Sequence, residues 1–173
     1  MHIHNRLLAS LGTADLTHLR RHLREVPIEQ GEMLEEPGHP VEAVYFPQTG
    51  MISLIVQMPE DSSVEVGTVG SEGAVGMAVG LGSRVSFICA LVQVSGTALC
   101  IPASAFRAAA GQSGRIRGLI VKYSEQLFLA DSIHTTTQAP VRPTRGPNKG
   151  TKRTPPLGAA VTAAGVADTH GIL

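Results

Sequence analysis

Val69-Gly70-Ser71-Glu72-Gly73-Ala74-Val75-Gly76-Met77 is a glycine-rich turn carrying one carboxylate, set between short runs of β-forming residues. A turn of this composition brings backbone N–H groups close together and can cradle a small anion. Before it, Ile52, Leu54, Val56 and Met58 alternate with Ser53 and Gln57, and Val64, Val66 and Thr68 return after the polar stretch Pro59-Glu60-Asp61-Ser62-Ser63. That period of two predicts a hairpin. After the turn, Val85–Val94 reads as a longer apolar strand, and Ser95-Gly96-Thr97 turns into Ala98-Leu99-Cys100-Ile101. Further upstream, Pro37-Gly38-His39-Pro40 and Gln48-Thr49-Gly50 bracket a short strand from Val41 to Phe46. Many short strands with frequent turns and no long helices between them predict a mainly β fold, an antiparallel β-roll or jelly-roll.

Helices are expected on both sides of the roll. Thr13 can cap a first helix, with Asp15 near its positive end and Leu16, Leu19 and Leu23 on one stripe. His18, Arg20, Arg21 and Arg24 then face solvent. Pro102-Ala103-Ser104-Ala105-Phe106-Arg107 opens a short helix, and a longer one covers about 113–131. In it Ile116, Ile120, Tyr123 and Leu127 follow a 4-3-4 spacing that Leu119 widens. Such a seam packs on its own domain or against a second copy.

The 173 residues carry no net charge, yet the balance is uneven along the chain. Residues 1–131 hold nine Lys or Arg against thirteen Asp or Glu, while 132–173 hold five basic residues against Asp168 alone. Past His134, prolines 140, 143, 147, 155 and 156 arrive without any aromatic residue. A segment of that kind buries too little apolar surface to offset its ordering entropy, so 135–173 is expected to be a disordered basic tail after a folded unit at 1–134. No run approaches the roughly 20 apolar residues of a membrane span, and Met1-His2-Ile3-His4-Asn5-Arg6 lacks the apolar core of a signal peptide. With Cys89 and Cys100 in apolar runs at no metal spacing, a cytoplasmic protein with buried reduced thiols is expected.

Gly31-Glu32-Met33-Leu34-Glu35-Glu36-Pro37-Gly38-His39-Pro40, then Val44-Tyr45-Phe46-Pro47 and Gly50-Met51-Ile52-Ser53-Leu54, resemble the sensor domain of Crp/Fnr-type transcription regulators. The likeness continues through the Gly-rich turn and Ala90–Phe106, from about Leu7 to Phe128. It implies a β-roll of the cyclic-nucleotide-binding type and a long helix that serves as a dimer seam, here Ile116, Leu119, Ile120, Tyr123 and Leu127. Nothing after Phe128 resembles the winged helix-turn-helix of that family. The expectation is therefore a sensor half, truncated before the DNA-binding domain and without specific DNA binding of its own. The chain would homodimerise, or pair with a full-length regulator as an interaction module.

Cyclic-nucleotide members hold their ligand with a Gly-Glu turn and an Arg that forks onto the phosphate. Gly70, Glu72 and Gly73 supply a turn and an acceptor. Anchored on Ala90-Leu91-Val92-Gln93, the Arg and hydroxyl positions fall on Ile88 and Cys89; anchored on Glu72, they fall near Arg84 and Ser86. Cyclic AMP is expected to bind weakly or not at all, because a phosphate buried without a cation is costly. The iron–sulfur branch of the family needs N-terminal cysteines, and none precedes Cys89. A cupin-type metalloenzyme needs His ligands inside the barrel, and every His lies outside the expected strands. No nucleophile elbow or phosphate-binding P-loop is present, so no enzymatic activity and no metal are expected. The basic tail could give nucleic acid only weak, salt-sensitive contact.

Overall fold

The computed structural model describes residues 2–58 and 63–134. The expected hairpin end at 59–62 and the expected tail at 135–173, with everything read from that tail, lie outside the described residues. Twelve elements follow one another: α1 (Arg6–Ala9), α2 (Thr13–Arg20), β1 (Arg24–Ile28), β2 (Met33–Glu35), β3 (Ala43–Pro47), β4 (Met51–Gln57), β5 (Ser63–Val69), a 3₁₀ helix (Met77–Leu81), β6 (Cys89–Val94), β7 (Gly96–Pro102), α3 (Ala103–Gln112) and α4 (Gly114–His134). The strands form two antiparallel sheets, ordered β1-β7-β3 and β2-β6-β4-β5. This is the antiparallel β-roll that the alternation and turns announce.

The three-stranded sheet lies between the second sheet and the helices, and β3 and β7 are apolar on both faces for that reason, whereas β1 is largely exposed. From β3, Val44 and Phe46 enter the core shared with the helices, while Ala43 and Tyr45 enter the core between the sheets. In β7, Leu99 and Ile101 take the first direction and Ala98 and Cys100 the second. The helical core gathers Leu8, Leu19, Phe106, Ile116 and Ile120, with Phe46 and Phe106 edge-to-face at 6.0 Å.

Several expectations change in detail. Asn5 caps an additional short helix, α1, by accepting from Leu8 N–H. Gly12, not Thr13, occupies the N-cap of α2, and no side chain caps it. The strand expected over Val85–Val94 begins only at Cys89. Its first residues are engaged elsewhere: Ser86 N–H donates to His39 C=O, Gly38 N–H to Ser86 C=O and Val41 N–H to Arg84 C=O, at 2.9–3.0 Å. The Pro37–Pro40 turn thus holds residues 84–86 away from the sheet. Ser53, expected on a polar face, is buried, and its hydroxyl has no partner among the described residues. Cys89 and Cys100 are buried and unpaired, and burial pushes the Cys100 thiol up to about 11.

Candidate functional site

The turn at residues 70–73 is fastened from three sides. Asn5, fully buried, donates through Nδ2 to Pro47 C=O (2.9 Å) and Gly73 C=O (2.8 Å). Arg6 N–H donates to Ser71 C=O, and Ala74 N–H to the Tyr123 hydroxyl at 3.0 Å. Glu72 uses its own carboxylate inside the turn, accepting from Gly70 N–H at 2.7 Å. A side chain at 73 would collide with the Tyr123 hydroxyl, which is the local reason for Gly73. Gly70, Glu72 and Gly73 therefore build a clasp between the N-terminus, the roll and α4.

A second glycine turn, three residues on, borders an apolar cavity. Gly76 has φ +87° and precedes the 3₁₀ helix; a Cβ there would stand 2.6 Å from Ala43 O and 2.8 Å from Glu35 Oε1. Beside it lies a cavity of about 440 Å³, within the rough 300–1,000 Å³ range of small-molecule sites. Its wall is mostly apolar, with Leu54, Val56, Val66, Val75 and Ile88 from the roll and Tyr123, Ser124 and Leu127 from α4. The described lining contains one carboxylate, Glu35, and no Lys, Arg or His. Glu35 is 7% exposed, and burial pushes its carboxyl above the ordinary 4.5, opposed by the hydroxyl of Ser86 at 2.6 Å from Oε2.

Of the five residues expected to bind a ligand, Ser86 alone lines this cavity. Arg84 is exposed and outside the lining, contributing its carbonyl to Val41 N–H, whereas Ile88 sits in the wall. Glu72 borders a separate, open cavity of about 480 Å³ with Arg6, Lys122, Leu119 and Tyr123. The five do not meet in one place. Glu35 and Gly76, which the sequence reading passed over as candidates, are the central features instead. The one available signal is a Glu-Glu pair after the apolar pair Met33-Leu34, ambiguous as to which carboxylate turns inward.

The seam residues divide as well. Ile116, Ile120 and Tyr123 are buried in the chain's own core at 1%, 0% and 8% exposure, which assigns them to packing within the domain. Leu119 and Leu127 are half-buried, and Val121 is exposed. Among the described residues no His, Cys, Asp and Glu gather in a group able to hold a metal, and no helix is long and apolar enough to cross a membrane.

Residues 25–113 match the family model described as the cyclic nucleotide-binding domain. The chain belongs to that family. Solved structures of bacterial regulators share its fold. The c-di-GMP-responsive global regulator CLP of Xanthomonas campestris aligns with a TM-score of 0.60 at 16% identity, over 72% of this chain and 63% of that one. The sensor domain of the transcriptional regulator DNR from Pseudomonas aeruginosa gives 0.57 at 18% identity, over 77% of this chain and 91% of that domain. The N-terminal domain of a Streptomyces coelicolor A3(2) transcriptional regulator gives 0.55 at 16%, over 78% and 93%. No curated protein matches the sequence. The chain spans less than two thirds of the Xanthomonas regulator, and these identities establish a shared cyclic nucleotide-binding β-roll and nothing of its ligand.

Proposed function

We propose that this chain is the effector-sensing domain of a Crp/Fnr-type transcription regulator, acting in the cytoplasm, and that the cavity beside Gly76 is its effector site. The observation supporting this reading is that α4 supplies part of the cavity wall through Tyr123, Ser124 and Leu127. Whatever fills the cavity touches the helix that would carry the signal, and an effector can shift the helix only by such differential contact. A cyclic nucleotide is a poor occupant, since among the described lining residues its phosphate would meet Glu35 and no cation.

Dimerisation uses the part of α4 that the core leaves half open, Leu119 and Leu127, and pairs two copies or one copy with a full-length regulator. Light scattering on the full chain tests the association: a dimer that Leu119→Glu converts to monomer supports it, and a monomer at all concentrations refutes it. Calorimetry tests the site. Cyclic AMP and cyclic GMP should give no saturable heat; micromolar binding of either, lost in Arg84→Ala, overturns the reading of the cavity.

A further inference from the structure

We infer that the cavity beside Gly76 takes an uncharged, largely apolar small molecule bearing a hydroxyl or N–H group, and that this group donates a hydrogen bond to Oε1 of Glu35. The inference rests on the proposal that the cavity is the effector site and adds the chemical class of the ligand.

The assignment follows from the hydrogen-bond inventory of one buried carboxyl. Glu35 Oε2 lies 2.6 Å from the Ser86 hydroxyl, and that hydroxyl lies 2.9 Å from Ile88 C=O. Ser86 has a single proton for two acceptors. If Glu35 is ionised, the proton goes to Oε2 and Ile88 C=O loses this donor. If Glu35 is neutral, its own proton on Oε2 donates to Ser86 Oγ, and Ser86 donates on to Ile88 C=O, so both contacts are made. Burial favours the neutral form too. In either form Oε1 is an acceptor, and it is buried with no partner among the described residues. A buried acceptor without a donor costs about 1–3 kcal/mol, which a ligand donor removes.

The rest of the wall sets the remaining chemistry. With no Lys, Arg or His in the described lining, an anion would enter uncompensated beside a carboxyl. Val56, Val66, Val75, Met77 and Ile88 offer apolar contact, and Phe87 lines the cavity while 81% exposed. An aromatic ring that exposed gains most by folding over an apolar occupant.

Three fluorescent probes of one shape separate the possibilities: 1-naphthol (neutral, donor), 1-methoxynaphthalene (neutral, no donor) and 1-naphthoate (anion). The chain has no Trp to interfere. Titrated into the full chain, 1-naphthol should bind about tenfold tighter than 1-methoxynaphthalene, the worth of one well-made hydrogen bond, and 1-naphthoate should bind weakest. Glu35→Leu should bring the two neutral probes to near parity, while Glu35→Gln, whose carbonyl still accepts, should keep most of the preference. Tightest binding of 1-naphthoate, a preference unchanged in Glu35→Leu, or no binding of any probe overturns the inference. Amide exchange along α4 in the same titration separates it from the sensing proposal. A 1-naphthol preference with α4 protection unchanged refutes sensing and keeps the ligand class; altered α4 protection with 1-naphthoate preferred does the reverse.

Discussion

Tyr123 and Gly73 form a pair whose energies should not add. The Tyr123 hydroxyl accepts from Ala74 N–H at 3.0 Å and occupies the space a Cβ at position 73 would need. Tyr123→Phe leaves a buried N–H unpaired, a loss of about 2 kcal/mol, or roughly 8 °C in Tm for a domain of this size. Gly73→Ala drives a methyl group onto the hydroxyl and to 2.9 Å from Val69 Cγ1, an overpacking cost of about 2 kcal/mol. In the double variant the phenolic oxygen is gone and the methyl group takes part of its place. The combined loss should therefore fall short of the sum by about 1 kcal/mol, the scale of coupling between touching residues. Urea unfolding of the four proteins, followed by circular dichroism, measures the cycle. Additivity within ~0.4 kcal/mol, or a negligible cost for Tyr123→Phe alone, would refute the claim that this hydroxyl fastens the turn to α4.

Other expectations concern the two ends of the site. Because burial raises the Glu35 carboxyl above 4.5, the folded protein binds more protons there than the unfolded chain. Wild type should thus be most stable relative to Glu35→Gln below that value and lose ground as pH rises through the window above it; urea midpoints at several pH values read the difference, and a flat or rising difference contradicts it. Gly76→Ala should cost at least about 2 kcal/mol, from left-handed backbone strain plus the approach to Ala43 O; thermal unfolding that shifts by less than a degree would deny the turn its conformation. Asn5→Ala removes the α1 cap and two donors to buried carbonyls, so a loss of about 3 kcal/mol is expected by chemical denaturation; a cost below 1 kcal/mol would show that the N-terminal anchor is dispensable.

The roll was legible because Ile52–Gln57 and Val64–Thr68 alternate at period two, while Val44–Phe46 and Ala98–Ile101, buried on both faces, read as short unbroken apolar runs between turns. The site was less so. A glycine run offers several turns of equal plausibility, and only tertiary contacts decide among them. Asn5, remote in sequence, donates to Gly73 C=O, and Glu35, also distant, stands over Gly76. The stretch Val85–Ile88 has strand composition, but the backbone N–H and C=O of Ser86 and the C=O of Arg84 before it are taken by residues 38–41. Local propensity cannot register that competition. The α4 stripe was ambiguous in a different way. Its spacing is equally suited to a domain core and a helix pair, and the core claimed Ile116, Ile120 and Tyr123.

Tyr123 also forms part of the wall of both cavities, the apolar one under Glu35 and the open one edged by Arg6 and Lys122. A partition shared by two compartments makes them thermodynamically reciprocal. Displacing the ring to admit a guest on one side changes the room on the other, and the free energy of that linkage is the same read from either side.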